Sequence, residues 1–295
     1  NWKEDASRRD FTINSIYADI GGNLFDPFNG KKDLENGKVD FIGNAETRIK
    51  EDYLRVLRYI RFFLNYSKTK HNQKTIKAIK KNLGGFSKIS SERLLDEFKK
   101  LLKSQGFFKL TRDKDCLEIM RLIFPQFKNF AIFNKLNSFA KKNFTKVDFI
   151  FLVSLMIIDG SDNVDYFLYK FNISKKDQKR LLFLNNFNSQ KMTNKTFSEE
   201  NLNKIFYYNG KEALIDIINF KIFRSNRLDN NLIKIIENFK DKKIPIMPIK
   251  ANILIEKYSI PEGKELGNKL KMIEEFWVNN GFRISEVEVL RIVKS

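Results

Sequence analysis

From Thr47 to residue 295 the apolar residues recur at helical spacing, and only residues 1–44 have strand character. The fold class this predicts is mainly α. Within the first 44 residues, Ile16–Ile20 and Leu24–Phe25 flank Gly21-Gly22-Asn23, a sequence suited to a hairpin turn. Val39–Ile42 reads as a further short strand. The helical part is punctuated at Gly84-Gly85, Gly106, Pro125, Gly160, Asn209-Gly210 and Pro245–Pro248. Ile89, Ser90 and Leu94 fit a hydrophobic staple around an N-cap serine. Phe149–Ile158 is apolar except for Ser154, but a bilayer span needs about 20 such residues. This segment therefore reads as a core helix, and no membrane partner is expected.

At 295 residues the chain is long enough for one to three compact units. It carries 55 Lys+Arg against 36 Asp+Glu, a net +19 that favours a polyanionic partner. Compositional drift explains part of this, because Lys, Asn, Ile and Phe are abundant throughout. The arginines say more. Arg8, Arg9, Arg48, Arg55, Arg58 and Arg61 cluster near the start of a chain that otherwise uses lysine. Arginine is the residue suited to a planar fork on phosphate, carboxylate or base. One cysteine, Cys116, and one histidine, His71, leave no disulfide framework and argue against structural zinc. The lone histidine also excludes a His-Asp metal phosphohydrolase domain. A single thiol suits the reducing cytoplasm.

Residues 48–61 read as one helix with Ile49, Tyr53, Leu57, Ile60 and Leu64 on its buried stripe. Glu51, Asp52, Arg55, Arg58 and Arg61 lie away from that stripe. On such a helix Asp52 and Arg55 emerge from neighbouring points. Cytosine and adenine each present an amine donor beside a ring-nitrogen acceptor, which a carboxylate and a guanidinium match. Guanine and uracil leave both partners mismatched. The same pair is also an ordinary surface salt bridge, worth at most about 1 kcal/mol.

Two neighbouring segments favour base reading. Arg8-Arg9-Asp10-Phe11-Thr12-Ile13-Asn14 and Asp26-Pro27-Phe28-Asn29-Gly30-Lys31-Lys32-Asp33-Leu34 precede Glu51-Asp52-Tyr53-Leu54-Arg55. In this order they resemble motifs B, C and D of the class II tRNA nucleotidyltransferase and bacterial poly(A) polymerase family. Ser90–Phe98 resembles its motif E. The resemblance is specific over about the first hundred residues and diffuse beyond them. It implies a remnant of an α/β head at 1–44, a helical neck at 45–110, a body at 111–235 and a tail at 236–295. Arg9 and Asp10 would then lie against the ribose and phosphates of CTP or ATP, with Asp52 and Arg55 reading the base. Arg58 and Arg61 would continue towards the phosphates, or else form a basic face on RNA backbone. Asp26, Pro27 and Gly30 would form a hinge, and Glu51, Glu92 and Arg93 would support the neck. The tail from Pro245 to Phe282 also resembles the family, although Ala251 and Ile253 stand where Gly and Asp are expected.

The implied activity is addition of CCA to tRNA with Mg2+ as cofactor. Phosphoryl transfer of this kind needs paired carboxylates to hold the metal. Neither Asp113-Lys-Asp115 nor Asp159–Asp165 follows a glycine-rich strand turn, so both read as solvated loops. The metal carboxylates are expected upstream of residue 1, and these residues alone are expected to be catalytically inactive. A poly(A) polymerase of the same family and a non-catalytic helical RNA-binding protein are the competing readings.

Overall fold

A computed structural model describes residues 1–295 apart from 192 and 194. As the sequence predicts, the chain is mainly α. Its described strands are Tyr17–Ala18 and Leu24–Phe25, paired antiparallel with Tyr17 opposite Phe25 and Ala18 opposite Leu24. Gly22 at φ 82° supplies the left-handed turn residue. Val39–Ile42 does not form the expected strand. Phe41 makes only an isolated bridge to Phe11, because the chain at 10–12 turns into a short 3₁₀ segment at Thr12–Asn14 and offers no extended partner.

The chain divides into two compact units, residues 1–181 and 182–295. In the first, the N-terminal helix Trp2–Arg8 lays Trp2 against Tyr17 and Phe25 of the hairpin. The helix Arg55–Tyr66 buries Val56, Leu57, Tyr59, Ile60, Phe63 and Leu64, and packs against the helix Ser91–Leu102. Ser90 caps the latter by accepting from the Arg93 amide, as its position predicts. Beyond it, Phe98, Phe124, Phe127, Phe167 and Phe171 stack in tilted and offset pairs, the geometry aromatic quadrupoles favour. The helix Phe149–Ile157 is buried from Ile150 onward, as a core helix should be. Among the described residues no helix is long and apolar enough to cross a membrane.

In the second unit the stretch Glu199–Arg224 is two helices joined at Gly210, whose φ of 86° only glycine adopts without strain. Tyr207, Trp277 and Phe282 form an aromatic cluster, and the Tyr207 hydroxyl donates to Glu274 at 2.8 Å. Leu254, Ile260, Leu266, Ile273 and Val289 make the buried core of the last fifty residues.

Candidate nucleotide-selecting site

The predicted continuous helix over 48–61 is broken. One helix ends at Glu51, and the next begins at Arg55. Between them Asp52 is extended, with φ −152° and ψ 109°. Asp52 is the C-cap of the first helix, and its carboxylate accepts from the Leu54 amide at 3.2 Å, a local bond that competes with continued helix. Tyr53 at this joint is backed by Gly85, where a Cβ would overlap the tyrosine ring. Asp52 and Arg55 therefore do not leave one helix surface side by side. Asp52 receives Arg93 at 3.0 Å, from the first turn of the Ser91–Leu102 helix.

Arg55 turns the other way. Its Nε donates to Asp10 at 2.8 Å, and its Nη1 donates to both Glu51 and the carbonyl of Arg48. Arg58 pairs with the second oxygen of the same Asp10. Asp10 is buried, and this double pairing is what permits it, since an isolated charge there would be strongly penalised. Amide bonds from Ile42 to the Asp10 carbonyl and from Thr12 to the Asp40 carbonyl hold that segment in place. The structure thus brings Asp10, Glu51, Arg55 and Arg58 together, although Asp10 is 45 residues from Arg55 in sequence.

Arg61 belongs to a different pair. Its guanidinium bonds to Glu97 at 2.8–2.9 Å and lies over the Phe62 ring. Glu97 is buried on the face of Leu94, Phe98 and Leu101. Sequence reading passed over it, although a glutamate on an apolar stripe is itself the mark of a buried ion pair. Arg9 is half-exposed and held by Asp5, which also accepts from the Tyr17 hydroxyl. The Tyr17 and Arg9 bonds hold the Asp5 carboxyl below its usual value. The bond from Arg55, with the nearby Arg48 charge, does the same for Glu51. Glu92 is exposed in the first turn of its helix, where negative charge suits the helix end.

The Asp26–Gly30 segment is tightly tied. Asp26 accepts from the amides of Gly30 and Lys31 at 2.7 and 2.8 Å. Gly30 lies against the Thr12 carbonyl so closely that a Cβ would overlap it, and Thr12 donates to Asp33 at 2.7 Å.

His71, Asp113 and Cys116 bring ligand-type atoms within 4.8 Å of one another. Each is already engaged. His71 binds Tyr59 and Asp113, while Asp113 also caps the helix Lys114–Ile123 through the Cys116 amide. A soft N/S/O set of this kind does not suit magnesium, which takes oxygen ligands and keeps several waters. Asp5 and Asp10 are both occupied by arginine. Among the described residues, His71, Asp113 and Cys116 are the group of three or more ligand-type side chains that come together.

The fold and the motif order agree with what the chain is similar to. Residues 1–40 match the model described as the poly A polymerase head domain, and residues 72–130 match that of the probable RNA and SrmB-binding site of polymerase A. The mouse mitochondrial CCA tRNA nucleotidyltransferase 1 is 32% identical over all of this chain and 67% of its own length. A CCA-adding enzyme of Lactococcus lactis is 28% identical over 99% of the chain and 70% of its own length. In fold, the chain resembles the Bacillus stearothermophilus CCA-adding enzyme in complex with CTP, with a TM-score of 0.74 at 20% identity, over 100% of this chain and 74% of that one. The Thermotoga maritima CCA-adding enzyme complexed with tRNA gives 0.62 at 19%, over 99% of this chain and 73% of that one. The chain belongs to the CCA tRNA nucleotidyltransferase family, whose members are nucleotide-transferring enzymes.

Proposed function

We propose that this chain selects CTP and ATP and holds tRNA for template-independent addition of CCA to the tRNA 3′ end. The joint at Asp52 carries the reading. A carboxylate on non-helical backbone, with one oxygen on the Leu54 amide and the other on an exposed arginine, can exchange Arg93 for a base amine. Arg55 supplies the partner donor through its Nη2, which makes only a 3.4 Å bond to the Arg8 carbonyl, while Glu51 and Asp10 hold the rest of the guanidinium. Reading by two oriented groups rejects the wrong base because the site's own polar atoms are left unpaired. Arg58, paired with Asp10, and Arg9, held by Asp5 and next to Asp10 in the chain, serve the ribose and phosphates. Arg61 supports the helix pair through Glu97 and completes the basic strip.

The division into head remnant (1–44), neck (45–110), body (111–235) and tail (236–295) is our reading of how these roles are spread. In it, Asp26, Pro27 and Gly30 act as a stiff pivot, because the segment and Thr12 must move together. Glu92 and Arg93 steady the neck. Magnesium is the expected cofactor of the reaction, and the His71–Asp113–Cys116 cluster, with its nitrogen and sulfur donors, does not fit it. The free, buried Cys116 suits a reducing compartment, and we place the protein in the cytoplasm.

The test is base choice in the full-length enzyme carrying this sequence. Asp52→Ala and Arg55→Ala are each expected to erode discrimination against UTP and GTP by about 1–3 kcal/mol. Unchanged nucleotide preference in both variants removes the base-reading role. A second measurement separates CCA addition from poly(A) synthesis. Affinity for tRNA lacking its CCA end is expected to exceed that for poly(A) of equal length across a salt series. The reverse order favours the polymerase.

A further inference from the structure

The side chain of Arg48 grips two consecutive main-chain carbonyls of a segment 40 residues away. It lies near the C-terminal end of the helix Ala45–Glu51 and is only 13% exposed. One of its nitrogens donates to the carbonyl of Arg8 at 2.8 Å and also to the carbonyl of Arg9. The other donates to Glu51 at 2.6 Å. Arg8 is the last residue of the helix Trp2–Arg8, and Arg9 is its C-cap. The last carbonyls of a helix have no intrahelical donor, and they carry the negative end of its dipole. A planar guanidinium brought from 40 residues away fills that need. It does so at some cost, since the buried Nε of Arg48 has no hydrogen-bond partner.

The consequence reaches Asp10. With the Arg8 and Arg9 carbonyls pinned, the backbone leading into Asp10 has little freedom to rotate. Arg55 adds a weaker hold on the Arg8 carbonyl at 3.4 Å and takes the Asp10 carboxylate itself. Glu51 ties the two arginines together.

We propose that Arg48 is a positioning residue for nucleotide binding: it fixes the Arg8-Arg9-Asp10 turn against the helix pair that carries Asp52 and Arg55. It touches neither base nor phosphate, and acts through the aim of Arg9 and Asp10. This inference rests on the nucleotide-binding reading above and adds to it a residue that reading does not include.

Arg48→Ala and Arg48→Lys in the full-length enzyme test it, with kcat and KM measured separately for CTP, ATP and tRNA. Arg48→Ala is expected to raise KM for both nucleotides about tenfold while KM for tRNA stays within about twofold. Preference for CTP over UTP is retained, because Asp52 and Arg55 are intact. Lysine can still donate to one carbonyl, so Arg48→Lys should recover part of the loss and guards against a variant that fails to fold. A lowered melting temperature with unchanged nucleotide KM in both Arg48→Ala and Arg48→Lys would make Arg48 merely structural and overturn the proposal. Asp10→Asn in the same assay keeps the two levels apart. If it raises nucleotide KM and neither Arg48 variant does, only the positioning role fails. If neither moves it, the nucleotide-binding reading fails first.

Discussion

The polar network around Asp10 in the first unit and the apolar core around Ile273 in the second are held together by different means. In the first unit four charged side chains, Asp10, Glu51, Arg55 and Arg58, share one set of bonds, and each depends on the next. In the last fifty residues, Leu254, Ile260, Leu266, Ile273 and Val289 exclude water with no charge among them. A hydrophobic core tolerates exchange of one apolar group for another of similar volume. A buried ion network does not, because removing one member strands the rest. The lesson is that the network's stability and its aim are the same property, whereas in the apolar core stability carries no direction.

Asp10→Ala attacks the network at its most connected point. It takes a shared counter-ion from Arg58 and from Arg55, only 11% exposed and left with Glu51 alone, and is expected to cost about 3–5 kcal/mol in denaturant unfolding. If the cost were below about 1 kcal/mol, the network would be no more than a set of surface pairs. Ile273→Ala removes a fully buried side chain from the apolar core, with an expected loss of about 2–4 kcal/mol. Nucleotide KM should be unchanged in that variant, and a change would show that the second unit's core also directs the first. The smallest effect concerns Asp113. Burial raises its carboxyl, but the bonds from His71 and the Cys116 amide outweigh this and leave it below its ordinary value of 3.8. A depressed carboxylate stabilises the folded state above its unfolded pKa, and that stabilisation is lost as pH falls through the folded value. Asp113→Asn should therefore be less stable than the parent near neutrality by about 1 kcal/mol, and the gap should close below about pH 4. A gap that persists at low pH would mean the asparagine is poorly packed.

What sequence revealed and what it hid follow from the range of the interactions. The Gly21–Asn23 hairpin, the Ser90 cap, the buried Phe149–Ile157 helix and the kink at Gly210 are decided within a few residues, and each is legible locally. The motif residues were legible as a set because their order is distinctive. Their partners were not. Periodicity alone favours an unbroken helix through Asp52, because its stripe residues keep step on both sides. Only the side chain's bond to the Leu54 amide, together with Arg93 from 41 residues away, shows why it breaks. Arg48 on Arg8 and Arg61 on Glu97 are likewise separated by 40 and 36 residues. No spacing rule reaches that far. The missing strand at Val39–Ile42 has the same origin, since a strand exists only where another extended segment runs beside it.

Gly85 has a consequence that its own chemistry does not suggest. It has no functional group, yet its bare backbone is the surface against which the Tyr53 ring rests, at the joint that aims Asp52. Any side chain acquired at position 85 would push that ring before it touched anything else. On the base-reading proposal, the cost of such a mutation would appear as wrong letters at the ends of tRNAs. Accuracy would then be lost through a residue that never meets a nucleotide, and the lesion would look like a fault in the Asp52–Arg55 pair while both side chains remained in place.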